Sequence, residues 1–169
     1  MSAAAYCTPS DMAVVATGGW EELAQRAAQD GRVTGELLEL TYTGGDRGHY
    51  DFLARELADK ALARLERHCE SVTHYAETFI AVRYHTPLSQ DIIAHSDLPA
   101  VCATIAVLRL AGISATQDMR EAAQWAERYL NRIADGKASL GRQQVQGNDP
   151  VTLATFSGRA MTDIDLQGF

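Results

Sequence analysis

The stretch from Tyr50 to Tyr84 constrains the fold of this chain more than any other. It contains neither proline nor glycine, and its apolar residues recur at steps of three, four and seven. This spacing predicts one amphipathic helix of about 35 residues, on the order of 50 Å long. Pro87 ends it, because a proline pushes the preceding residue out of the helical region. A helix of this length needs shorter helices packed along it, or neighbouring subunits.

The remainder of the chain up to Gly141 predicts helices of ordinary length. Thr8, Pro9 and Asp11 form a helix-start pattern, with Thr8 as the cap and Asp11 as the capping-box acid. Residues 98–111 are apolar on every side, which is typical of a helix buried at the centre of a bundle. The predicted shorter helices cover residues 12–16, 20–28, 98–111 and 116–135. The fold class is therefore all-α, a helical bundle around the long helix at residues 50–84.

Residues 32–49 have no clear period. The segment around Leu37 and Leu38 fits either a short strand or a helical turn, and the glycine-rich residues after it predict a small irregular or hairpin-like loop. Loops carried by a rigid scaffold often make binding contacts. We therefore expect this projection to contact a partner protein or a neighbouring subunit. The residues expected to make this contact are Tyr42, Thr43, Gly44, Gly45, Asp46 and Arg47.

The character of the chain changes after Gly141. Residues 142–150 are polar, and the apolar residues beyond them alternate partly like a strand, which would need a partner's sheet edge. The sequence thus predicts two parts, a helical domain at 1–141 and an extended C-terminal docking arm at 142–169. A disordered tail, or one packed on its own core, is the alternative. The expected anchors of the arm are Val151, Leu153, Phe156, Met161, Leu166 and Phe169.

The composition disfavours several classes of protein. The net charge is −7 and no basic face stands out, so sequence-general binding to nucleic acid is disfavoured. No apolar run approaches the length of a membrane span, and no signal peptide is expected. The three cysteines are an odd set without metal-binding spacing, which suits a reducing compartment such as the cytoplasm.

No arrangement of residues predicts catalysis, a metal or a cofactor. His68 and His74 are six residues apart on the predicted long helix, and a zinc site would want a four-residue step. Residues 95–97 supply histidine, serine and aspartate, but side by side at a helix start, where capping explains them. We therefore expect a protein that is not an enzyme. Two other classes stay open: a helix-turn-helix DNA-binding regulator, with its turn at residues 111–114 and its recognition helix opening at Gln117, and a generic helical scaffold protein.

Several segments together resemble the phage Mu-type head–tail connector family, also called adaptor or head-completion proteins. The opening Tyr6-Cys7-Thr8-Pro9-Ser10-Asp11-Met12 is similar to the family's Tyr-Ala-Thr-Pro-x-Asp-Leu/Met. The segment Arg83-Tyr84-His85-Thr86-Pro87-Leu88 is similar to its Arg-Tyr-x-x-Pro-Leu signature after the long helix. Further similar segments lie at 98–101 and 126–141, and the resemblance covers about residues 5–141.

The resemblance implies an all-helical virion protein of the head–tail neck, made in the cytoplasm of the host bacterium. Such adaptors form a ring, usually of twelve subunits, below the portal protein. They continue the DNA channel, through which DNA passes without specific binding, and they dock the next neck or tail protein. The acidic Asp-x-Asp-Gly pattern common in relatives near residue 30 is reduced here to Asp30-Gly31, so no metal site follows from the resemblance.

Overall fold

A computed structural model describes residues 5–141. Within this range the chain forms seven α-helices and one short 3-10 helix, and no β-strand. The all-α bundle predicted from the sequence is therefore confirmed. The helices are α1 (Pro9–Val15), α2 (Gly19–Ala28), α3 (Gly35–Thr43), α4 (Phe52–Ile80), α5 (Gln90–Ala94), α6 (Leu98–Ala111) and α7 (Gln117–Ala134), with the 3-10 turn at Gly112–Ser114 before α7.

Local capping sets where these helices begin. The Asp11 amide donates to Thr8 Oγ1 at 3.2 Å, and the Thr8 amide donates to the Asp11 carboxylate at 2.8 Å. This is the predicted capping box, with Pro9 at the first helical position. Thr116 caps α7 in the same way, accepting a hydrogen bond from the Met119 amide at 3.3 Å.

The long helix α4 is slightly shorter than the predicted range of residues 50–84. Asp51 caps it in an extended conformation, accepting a hydrogen bond from the Ala54 amide at 2.6 Å. At the other end the amides of Arg83 and Tyr84 both donate to the Ile80 carbonyl, which closes the helix in a turn. The 29 residues that remain give a strut of roughly 44 Å at 1.5 Å per residue.

Helix α6 is the buried centre of the bundle, as its all-round apolar sequence predicts. Nine of its fourteen residues are buried, and it packs against α1, α4 and α7. Arg109 is its one charged residue. The guanidinium lies 4.5 Å from the centre of the Tyr75 ring, where it stacks on the aromatic face and stays at the surface of the bundle.

The hairpin-like projection expected within residues 32–49 is wrong, because half of that segment is helix α3, so the helical reading around Leu37 and Leu38 holds and the strand does not. Thr34 caps α3, and Leu37 and Leu38 are fully buried between α2 and α4. The start of α3 is fixed by a contact across the fold, since the Gly35 amide donates to the Glu21 carboxylate at 2.7 Å. A side chain at position 35 would collide with the α2 backbone, so glycine is required there. The loop itself is confined to residues 44–51.

The connection from His85 to Asp97, predicted as a plain loop, contains the short helix α5. Its two isoleucines, Ile92 and Ile93, are buried against the bundle. All three cysteines of the chain, Cys7, Cys69 and Cys102, are also buried in the core. Cys69 Sγ lies 3.5 Å from the sulfur of Met12, so these thiols act as packing groups.

Candidate assembly surfaces

The C-terminal segment leaves the bundle at a fixed point beside Tyr84. The Leu140 amide donates to Tyr84 Oη at 3.1 Å, and both residues are buried. Ser139 contributes a second, longer contact between its hydroxyl and the same phenol at 3.4 Å. The last described residues, 139–141, therefore lie next to the C-terminal end of α4.

The N-terminal segment is held near the same end of α4 by Tyr6. Its backbone amide donates to Thr73 Oγ1 at 2.9 Å, and its phenol donates to Glu77 at 3.2 Å. The phenol oxygen also accepts a hydrogen bond from the Leu88 amide at 3.3 Å. Burial raises the pKa of the Tyr6 phenol well above its usual value, so this group stays protonated and neutral.

The segments that carry the family resemblance therefore meet in space. Tyr6 of the opening segment bonds to Leu88 at the end of the second, and Tyr84 of the second bonds to Leu140 of the last. These motif residues hold the two ends of the described chain against the C-terminal part of α4. The predicted arm and its anchors, Val151, Leu153, Phe156, Met161, Leu166 and Phe169, lie outside the described residues and stay a prediction.

The predicted loop contact residues do not form one projecting tip, since Arg47 lies near the N-terminal end of α4 and Tyr42 near its middle. Tyr42 and Thr43 belong to the last turn of α3, and Gly44 ends that helix in the left-handed conformation. The Tyr42 ring packs at 5.4 Å from the Trp20 ring. Arg47 reaches back to the long helix, where its guanidinium pairs with Asp59 at 2.5 Å and donates to Thr41. Arg47, in the middle of the loop, therefore ties the loop to α4.

An exposed apolar pair lies beside this loop and was not singled out by the sequence. Phe52 is 74% exposed and Leu53 is 45% exposed, although both belong to the first turn of α4. A surface hollow next to them is lined by Arg47, Phe52, Arg55, Glu56 and Asp59. A large exposed aromatic side chain rimmed by charges is a common feature of a contact site for another protein.

One side of α4 carries a basic groove that the sequence analysis did not recognise. Lys60, Arg64, Arg67 and His68 line it, facing Ala27 and Ala28 of α2, and its volume is about 530 Å³. We call these four residues the basic stripe. The Arg64 guanidinium donates to the Ala27 carbonyl at 3.3 Å. Burial and the neighbouring arginines lower the pKa of His68, in keeping with a positive local potential.

The other side of α4 is acidic. Asp59, Glu66, Glu70 and Glu77 follow each other at steps of seven, four and seven, and we call them the acidic stripe. Glu66 and Glu70 line a second groove of about 440 Å³ together with Tyr42 and Thr8. The predicted contact residue Tyr42 thus lies against the acidic stripe. The spacing of both stripes could have been seen in the sequence, had positive and negative residues been placed on the helix separately.

Other kinds of site find no support within residues 5–141. No group of three or more histidine, cysteine, aspartate or glutamate residues there could hold a metal ion. No helix in the same range is long and apolar enough to cross a bilayer. His68 and His74, six residues apart on α4, differ in environment, since His68 lines the basic groove and His74 pairs with Glu77 at 3.5 Å.

The comparison with known proteins bears on the whole helical part of the chain. The model of a protein family described as Bacteriophage Mu, Gp36 matches residues 6–155, which is most of the 169 residues. The match begins at Tyr6 and extends beyond the last described residue. No curated protein and no solved structure gives a significant match. The chain therefore belongs to the family described as Bacteriophage Mu, Gp36.

Proposed function

We propose that this chain is a head–tail adaptor of a tailed phage, a virion protein without enzymatic activity. It forms a ring of about twelve subunits below the portal protein, continues the DNA channel and docks the next neck or tail protein. The observation that carries the proposal is the family match over residues 6–155. The similarity of four motif segments to head–tail connectors supports the specific role.

The geometry of α4 suits a protein that joins two partners along one axis. The helix is a strut of roughly 44 Å, and the anchored chain ends lie at its C-terminal end. The loop at 44–51 and the exposed Phe52 lie at its N-terminal end. We assign the end near Tyr84, with the arm at 142–169, to the portal side, and the Phe52 end to the tail side.

The charge of the chain suits a channel that DNA must leave quickly. The net charge of −7 repels phosphate, so DNA passes without being gripped. The protein is made in the cytoplasm of the host bacterium and ends in the neck of the virion. A helix-turn-helix regulator is the rival function, since α6, the turn at Gly112–Ser114 and α7 follow each other in that order. Its second helix opens with Asp118 and Glu121, which disfavours phosphate contact.

The decisive experiment is binding to the portal ring encoded by the same phage. The full chain is mixed with purified portal, bound material is isolated, and particles are imaged for a second ring below the portal. A variant that ends at Gly141 is the control, since it keeps the Tyr84–Leu140 bond and lacks the arm. We expect the full chain to form the ring and the short variant to bind at least tenfold more weakly.

Two results would contradict the proposal. A full-length chain that stays monomeric at high concentration and does not bind the portal would favour a generic scaffold protein. Tight duplex DNA binding that weakens steeply with salt would favour the regulator.

A further inference from the structure

The exposed face of α4 is divided by charge along its length. Consecutive helical residues are rotated by about 100°, so Arg64 and Glu66 point about 160° apart around the helix axis. The basic stripe (Lys60, Arg64, Arg67, His68) therefore borders the groove against α2. The acidic stripe borders the groove at Tyr42 and Thr8. One rigid helix thus presents two oppositely charged grooves on two different sides.

At the middle of each stripe, at least one charge has no partner among the residues that the structure describes. Asp59 is paired with Arg47, Lys60 with Glu56, and Glu77 with His74 and Tyr6. Arg67, Glu66 and Glu70 make no hydrogen bond or ion pair within residues 5–141, and all three are exposed. Each stripe therefore has unpaired charge at its middle, where a partner surface would meet it.

We propose that the basic stripe of one subunit binds the acidic stripe of the next copy of the same chain. The proposal rests on the ring assembly proposed above and names the contact surfaces of that ring. A ring of identical subunits needs two different, complementary patches on every subunit, because its interfaces are head-to-tail. The two sides of α4 provide such patches, and opposite charges across an interface fix the register and exclude wrong pairings.

Nucleic acid fits the basic stripe less well than a second copy does. The stripe offers three charged groups, because the lowered pKa of His68 favours its neutral form, whereas duplex binders commonly contact about six to ten phosphates. Glu66 and Glu70 stand on the same exposed helix and would repel a duplex lying along it. A neighbouring subunit supplies a row of acidic groups along one side of its α4, so each groove can face the opposite charge.

The test uses charge reversal in the full chain. Arg67→Glu and Glu66→Arg each place like charges across the proposed interface, and both positions are exposed and unbonded in the described structure. We expect each single variant to need a roughly tenfold or greater concentration to complete a ring on the portal. The double variant, with both reversals in one chain, keeps the net charge of −7 and should assemble like the unaltered protein. A one-to-one mixture of the two single variants should also assemble, because reversed surfaces then face each other.

Arg120→Glu is the matched control, since it makes the same charge change on the exposed side of α7, away from both stripes. It should assemble normally. Single variants that assemble like the unaltered protein, or a double variant that fails while still folded by circular dichroism, would overturn the pairing of the stripes. So would duplex DNA binding that Arg67→Glu abolishes without affecting assembly. If the unaltered chain forms no ring on the portal, the proposed function itself fails.

Discussion

Replacing Tyr84 by phenylalanine should loosen the point where the C-terminal segment leaves the bundle. The substitution removes only the phenol oxygen, which accepts a hydrogen bond from the Leu140 amide at 3.1 Å. A buried amide without an acceptor costs about 1–3 kcal/mol. The burial of a leucine side chain such as Leu140, which is 4% exposed, stabilises by about 1.5–3 kcal/mol. The two quantities are comparable, so the change should release residues 139–141 for much of the time.

Hydrogen exchange at the Leu140 amide measures this release directly. A cost of about 1–3 kcal/mol corresponds to roughly a fivefold to 150-fold faster exchange. Tyr75→Phe is the matched control on the same helix. The Tyr75 hydroxyl lies 3.5 Å from Glu127, too far for a strong hydrogen bond, so its removal should leave Leu140 protected. If the Leu140 amide exchanges equally slowly in Tyr84→Phe, the bond does not hold the segment.

Three further predictions follow from burial and exposure. Ile105→Asp places an unpaired carboxylate in α6 at a site 2% exposed and should unfold the chain, whereas a folded variant with an unchanged melting temperature would refute the central position of α6. Burial, with the neighbouring Cys69, raises the pKa of Cys102 from 9.0 to about 12. As the pH rises, the Cys102 thiol therefore loses its proton in the unfolded chain before it does so in the folded chain. The free energy of unfolding should fall between about pH 9 and 12. Urea midpoints across that range check this, and a flat profile would contradict it. Phe52→Asp should change stability by less than about 0.5 kcal/mol yet block head–tail joining in vitro. The control Val14→Asp, at a position that is also highly exposed, should join normally.

Most helix positions could be predicted from the sequence because the signals that begin and end them are local. Thr8 and Asp11 form their capping box within one turn, and Pro87 stands just beyond the long helix. The all-round apolar pattern of α6 likewise needs no knowledge of the rest of the fold. Where the end of a helix is set by residues close to it in the sequence, the pattern of residues is sufficient to predict it.

Helix α3 could not be distinguished from a strand by its sequence, because its local cap at Thr34 is supplemented by a contact with Glu21 of α2. Gly35 would ordinarily weaken a helix, yet its amide bonds to the Glu21 carboxylate and its missing side chain admits the α2 backbone. The same holds for the chain exit, where Tyr84 and Leu140 are 56 residues apart in sequence. Contacts of this kind leave no periodic pattern in the sequence.

The surface charges were missed for a different reason. A net charge of −7 averages over the chain and conceals a basic stripe that is only four residues wide. Lys60, Arg64 and Arg67 are spaced for one side of a helix, and Glu66 and Glu70 for the other. The information was therefore local and present, and the structure adds the grooves that frame it.

Because all three native thiols are buried, this protein is suited to selective labelling at an introduced cysteine. The pKa of Cys7 is raised by its hydrogen bond to Cys69 and by burial, so that thiol stays protonated and inert at neutral pH. A single cysteine introduced on the surface would then be the one site that maleimide dyes or bifunctional reagents modify in the native chain. A probe placed at exposed position 120, away from both stripes, could report distances between neighbouring copies without removing any native cysteine.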